Sequence, residues 1–402
     1  MSMKIKAAIL FASFGVLLFV VVGSLGGVHA ASNNDSYRQL QVYSEVLSRI
    51  RTEYVEEPNV PKVTDGALHG LMEALDADSA YMSAEAYKKF KAHKPDGKAG
   101  IGAIVSKRFG YADVVSVFPG SPAEKAGVEA GDIFESIEGV STKDLSLPEI
   151  RAILAGAPGS TVNLQVVGGH RAEPKKVVVA RDMVSEPAVA DKMLEDGVGY
   201  IKTQALTHGR AQEIAARIKT LEKAGAKKLV LDLRGCAAGE ESEGVATANL
   251  FLNHGTIAYL QGQKYPKETY NADPAKAITA LPLVVVVNRG TAGAAEVVAA
   301  AVLENARGDV VGAKTFGEGS VQKTIDLPDG GVLILSIAKY YSPSGKVFQE
   351  TGVTPTVLVA DEEELGGVDE EEPAGRPENA EKPKNTNDDQ LKKAVEVLKK
   401  RG

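Results

Sequence analysis

Tryptophan is absent from the 402 residues, cysteine occurs once, at Cys236, and histidine only six times. A lone cysteine excludes an internal disulfide framework and any multi-cysteine metal site. Six scattered histidines form no ready metal cluster, so neither metal nor cofactor is expected. An excess of positive charge is also lacking. The formal net charge is −7, and bulk nucleic-acid binding needs a basic face. Nucleotide loops are missing: no Gly-x-Gly-x-x-Gly sits between a strand and a helix, and no Walker lysine is present. Long apolar runs are confined to the N-terminus, which excludes a polytopic membrane protein. What remains is ordinary globular material, 44% hydrophobic and 25% charged, long enough for two or three domains.

Residues 1–30 read as a signal peptide or an N-terminal anchor. Lys4 and Lys6 form a basic start, and an apolar stretch from Ala7 to Val28 is long enough to cross a bilayer. Val28-His29-Ala30 fits a small-residue cleavage site, with Ala31 as the new N-terminus. Either outcome puts the body in the periplasm or another extracytoplasmic space. An uncleaved segment would anchor it to the inner membrane.

The mature chain changes texture three times. Residues 31–96 read as helical: Tyr43, Leu47, Ile50 and Tyr54 recur at helical spacing, as do Leu68, Leu71 and Leu75. Residues 97–183 alternate short apolar strands with Gly/Pro turns. Helices are expected there at Pro122–Ala126, with Ser121 as N-cap and Pro122 at the first turn, and at Leu147–Ala155. Residues 184–360 read as α/β, with the continuous apolar run Leu281–Val287 as a strand buried on both faces. Residues 361–402 form an acidic tail with a short C-terminal helix. This tail carries five of the seven net negative charges, so the acidity does not describe a binding face.

Within 97–183, Gly100-Ile101-Gly102-Ala103 precedes a strand. Gly120-Ser121-Pro122-Ala123 and Ala126-Gly127-Val128 through Gly131-Asp132 follow it. A glycine loop of free N–H groups can accept a peptide carboxylate while the next strand pairs with the peptide. The segment resembles a PDZ domain. That likeness implies peptide binding by Gly100, Ile101, Gly102 and Ala103, with Ile150 and Leu154 on the groove helix.

A second resemblance spans nearly the whole mature chain. Its motifs are, in order, Leu75 to Tyr81, the PDZ segment, Asp232-Leu233-Arg234, Asn288 to Glu296, Phe316 to Gln322 and Tyr340 to Gly345. This looks like the C-terminal processing peptidases, or tail-specific proteases. The resemblance implies a multi-domain α+β protein. It would join a helical N-terminal segment, a PDZ β-sandwich-like domain and an α/β protease-like domain with a ClpP/crotonase-like core. It also implies a serine/lysine dyad, in which a neutral lysine deprotonates the serine and backbone N–H groups hold the oxyanion.

Here the chain departs from the pattern it resembles. The nucleophile position is Gly293 and the base position is Glu318, while the orienting Gln322 is kept. The oxyanion loop reads Gly235-Cys236-Ala237-Ala238-Gly239, retaining only Gly239 of a final glycine pair. Glycine has nothing to attack with, and glutamate reverses the charge of the base. Thr291, Lys314, Lys323 and Cys236 (beside His208 or His254) are poor substitutes by position. Glu240, Glu241 and Glu243 read as a solvated acidic face. The expectation is an exported pseudo-protease that binds extended or C-terminal peptide segments as a scaffold or adaptor. The alternative is an active serine-type endopeptidase using displaced residues. Protein or peptide C-termini are the expected partners, with an active protease paralogue and a second copy of the chain as further candidates.

Overall fold

The computed structural model describes residues 30–92, 99–168, 173–360 and 388–400. The leader or anchor expected over 1–30 lies outside these residues except for Ala30, and so does the tail from 361 to 387. No helix among the described residues is long and apolar enough to cross a membrane. The chain divides into two compact units at Ala67/Leu68.

The first unit is helical. Its main element, Ala30–Glu53, carries an exposed ion-pair ladder in which Arg49 meets Glu45 and Glu53. Tyr37, Leu40 and Tyr54 on the same segment are more than half exposed.

Early in the second unit comes a tight turn. Asp76 Oδ1 accepts the amides of Asp78 and Ser79, which frees the chain to enter strand Ala80–Met82. That strand pairs antiparallel with Val332–Ile334 at the start of the long strand Val332–Tyr341. Asp78, itself buried, then takes Ser320 Oγ and Gln349 Nε2.

Strands Ala103–Arg108, Tyr111–Val117, Ile133–Ile137, Thr161–Val167 and Lys175–Ala180 follow in one antiparallel sheet, with Ala103–Arg108 at its edge. Period-two burial explains the strands: in Thr161–Val167 the residues Val162, Leu164 and Val166 face inward. Helix Pro122–Lys125 starts where Ser121 Oγ accepts the Glu124 amide. Helix Leu147–Leu154 starts with Glu149 taking the Ser146 amide and hydroxyl. Leu147, Ile150 and Leu154 turn into the core formed by these strands.

The remaining half is built on a second sheet. Its strand order is Ala190–Met193, Val198–Lys202, Lys228–Asp232, Leu283–Val287, Gly308–Gly312 and Val357–Leu358. All pairs but the first are parallel. Every residue of Leu283–Val287 is buried, as a continuous valine run demands. Helix Ala294–Glu304 belongs to the core on one face of this sheet. On the other face the closing helix Asp389–Lys400 buries Ala394 and Leu398 against Tyr200, Val230, Val284, Val286 and Val311. Asp388 anchors that helix through Arg234, at 2.8 and 2.7 Å.

Candidate functional site

Three loops converge at the C-terminal ends of the parallel strands, the usual place for a site in such a sheet. The first, Leu233 to Gly239, leaves strand Lys228–Asp232. The second, Asn288 to Gly293, leaves Leu283–Val287 and enters helix Ala294–Glu304. The third, Thr315 to Glu318, leads into strand Ser320–Asp326. They are knotted by polar bonds. Asn288 Oδ1 accepts the amides of Gly235 and Gly290, both at 3.0 Å. Thr291 Oγ1 donates to the Leu233 carbonyl at 2.8 Å. The Ala292 amide meets the Cys236 carbonyl, and the Phe316 amide meets the Thr291 carbonyl.

Gly293 lies at the strand-to-helix turn with φ 57° and ψ −118°. That is a left-handed conformation which a side chain rarely tolerates. The space above it is open, with no heavy atom within 4 Å of where a Cβ would stand. The turn therefore has room for a side chain and keeps a strained backbone, but presents no functional group.

One carboxylate links Gly293 to Glu318. Glu296, with none of its surface exposed, stands on the first turn of helix Ala294–Glu304. Its Oε2 accepts the amides of Gly293 and Glu318 at 3.0 and 2.8 Å. Its Oε1 accepts the Gly317 amide at 2.9 Å and the Thr315 hydroxyl. Burial pushes this carboxyl up to about 7, and the four donors hold it down. Glu296 closes the Asn288-to-Glu296 motif but had no role assigned from sequence. A glutamate three positions after the turn glycine is the capping-box signal that would have found it.

Glu318 is a quarter exposed, and its amide rather than its side chain faces Glu296. Burial raises its carboxyl; the Arg151 guanidinium opposes that, while Asp78 and Glu241 add to it. Arg151 Nη2 lies 3.4 Å from Glu318 Oε1. Gln322 is exposed and donates to Ser320 Oγ at 2.7 Å, so its side chain continues the Asp78 network. Gly239 has φ 148°, and a Cβ there would come within 2.4 Å of the Leu206 carbonyl oxygen. The Ala238–Gly239 strand pairs with Ala205–Leu206.

The other nucleophile and base candidates are either buried or exposed. Thr291 is fully buried and its hydroxyl is spent on Leu233. Cys236 is buried, and burial pushes its thiol up. Lys314 and Lys323 are exposed. No group of three or more His, Cys, Asp or Glu able to hold a metal ion occurs among the described residues.

The antiparallel sheet domain sits directly on these loops. Ser116 Oγ donates to the Gly235 carbonyl at 2.7 Å. Asp113 meets Arg289 at 3.4 Å. Arg108 donates to the Phe316 carbonyl at 2.9 Å and covers the Phe316 ring. Val115, Ala292 and Phe316 form one small apolar cluster between them. Beside Phe316 and Gly317 opens a cavity of about 960 Å³, also lined by Glu73, Asp76, Lys107 and Gln349.

The residues expected to bind peptide lie at one edge of the antiparallel sheet and on helix Leu147–Leu154. Gly102 has φ 78°, and a Cβ there would collide with Ser121. Ile101 and Gly102 use their carbonyls to take the amides of Ala123 and Phe118. A Cβ on Gly100 would stand 3.7 Å from the Leu154 carbonyl oxygen, and Ala103 opens the edge strand. Ile101, Ile150 and Leu154 are buried in the domain core at 2%, 0% and 4% exposure.

Comparison with known proteins agrees with this architecture. Residues 197–359 match peptidase family S41 and residues 114–168 match the PDZ domain. A carboxy-terminal processing protease of Bacillus subtilis, CtpA, is 32% identical over 338 residues, 83% of this chain and 71% of the relative. A carboxy-terminal-processing protease of Bartonella bacilliformis is 32% identical, covering 82% and 77%. Among solved structures, a photosystem II D1 C-terminal processing protease superposes with a TM-score of 0.66 and 25% identity. That match covers 82% of this chain and 95% of the other.

Proposed function

We propose that this chain, which belongs to the carboxy-terminal processing proteases of peptidase family S41 and carries their PDZ domain, binds extended peptides or protein C-termini without cutting them. The observation that carries the reading is Gly293. The resemblance puts a serine nucleophile where this chain has an open, strained turn and no side chain. A scaffold that keeps the turn, the capping carboxylate and the loop knot has kept its shape while losing its reactive groups. Glu318 has no side chain at Gly293 to take a proton from, and Cys236 and Thr291 are sealed in the core. Peptide would enter by strand addition at the edge strand Ala103–Arg108, with its carboxylate at Gly100–Ala103.

The segment 1–30 supports export to an extracytoplasmic space, with attachment to the membrane if it is not cleaved. In that setting the chain would act as a scaffold or adaptor, alone or beside an active relative. The test is a photoreactive unstructured polypeptide with a free C-terminus. The reading expects it to be crosslinked to the chain at full length. Recovery of a shortened polypeptide, with no contaminating protease, would sink it.

A further inference from the structure

We propose that Glu318 holds Arg151 as a plug in the PDZ groove, so that the altered catalytic position controls the entry of peptide. This rests on the peptide-binding reading above and adds its regulation. Strand Ala103–Arg108 is the edge of its sheet, and an edge offers main-chain groups to an added strand. On this edge the Val105 carbonyl is already taken. Arg151 Nε and Nη2 donate to it at 3.3 and 3.1 Å. Arg151 stands on helix Leu147–Leu154, so its guanidinium spans the groove from one wall to the other.

The same Nη2 reaches Glu318 Oε1 at 3.4 Å. An incoming strand needs the carbonyl and the width that Arg151 occupies, so peptide and plug exclude each other. The charge at position 318 sets how firmly the plug is held. A lysine, which the family resemblance implies there, would repel the guanidinium, whereas glutamate attracts it. The charge reversal is thus a new contact as well as a lost base. Arg151 and Glu318 lie 167 positions apart and meet because strand Tyr111–Val117 is fixed to the catalytic loops at Ser116–Gly235 and Asp113–Arg289.

The test uses full-length chain and its Glu318→Gln, Glu318→Lys and Arg151→Ala variants, each immobilised. A synthetic peptide pool with free carboxylates and randomised C-terminal residues is passed over them, and captured peptide is counted by mass spectrometry. Opening the plug should raise capture about fivefold in Glu318→Gln, the scale of one partly exposed ion pair. Glu318→Lys and Arg151→Ala should gain at least as much. Equal, non-zero capture by all four chains would overturn the plug and leave peptide binding standing. No capture by any chain would remove both. A gain in Arg151→Ala without one in either Glu318 variant would overturn the role of Glu318.

Discussion

Gly293 and Glu318 share one oxygen atom: the amide of each donates to Glu296 Oε2, at 3.0 and 2.8 Å. The two positions at which the dyad would stand are therefore registered by their backbones, whatever side chains they carry. The geometry of this site therefore does not depend on which side chains stand at 293 and 318.

A glutamine at 296 would turn an NH2 group toward donors it cannot accept from. Glu296→Gln should cost about 2–4 kcal/mol, more than one ordinary hydrogen bond, because buried donors are left facing a donor. Urea unfolding measures it. A loss below about 1 kcal/mol would show that the amides do not depend on the charge.

The pH dependence follows from the same group. Its folded value of about 7 lies above the ordinary 4.5, so between these values the folded chain binds more proton. Its contribution to stability is complete below about pH 4.5, declines as pH rises and is gone above about pH 7. The decline is on the order of 3 kcal/mol at most. It is read as the difference between parent and Glu296→Gln in urea titrations across that window. A flat difference would contradict the burial argument.

Gly293→Ala isolates the turn. The space is open but φ is 57°, so the penalty should be conformational alone, about 1–2 kcal/mol. Thermal melting with structure determination checks it. No penalty would mean that the turn relaxes to an ordinary helix start.

The closing helix gives a contrast between two partners of one guanidinium. Arg234→Ala strands Asp232, which has no exposure, and should cost about 3 kcal/mol or more. Asp388→Ala removes a partner that is 40% exposed and should cost under about 1 kcal/mol. Equal losses would mean that the helix contact, not the buried charge, dominates.

Much of the fold was legible from local chemistry. Ser121-Pro122 announces a helix start, and the apolar run through Leu283–Val287 announces a doubly buried strand; both elements are there. The family and its PDZ domain were readable because their motifs are short and ordered. What local reasoning could not supply is contact between distant segments. Nothing in the sequence singles out Arg151, and only docking of one domain on another brings it to Glu318. Gln322 shows the same limit. Its motif implies a role beside the dyad, yet its side chain joins Ser320 and the Asp78 turn, more than two hundred positions away. Glu296 was in view as the last residue of its motif, but its four donors come from two loops whose approach no spacing encodes.

The central claim is that the catalytic framework persists without catalysis. Incubation of the purified chain with an unstructured polypeptide, beside an active member of the family under the same conditions, tests it most directly. The account predicts no cleavage by this chain above the rate of a blank, while the relative degrades the substrate. Cleavage that survives removal of contaminating proteases and co-purifies with the chain would contradict it.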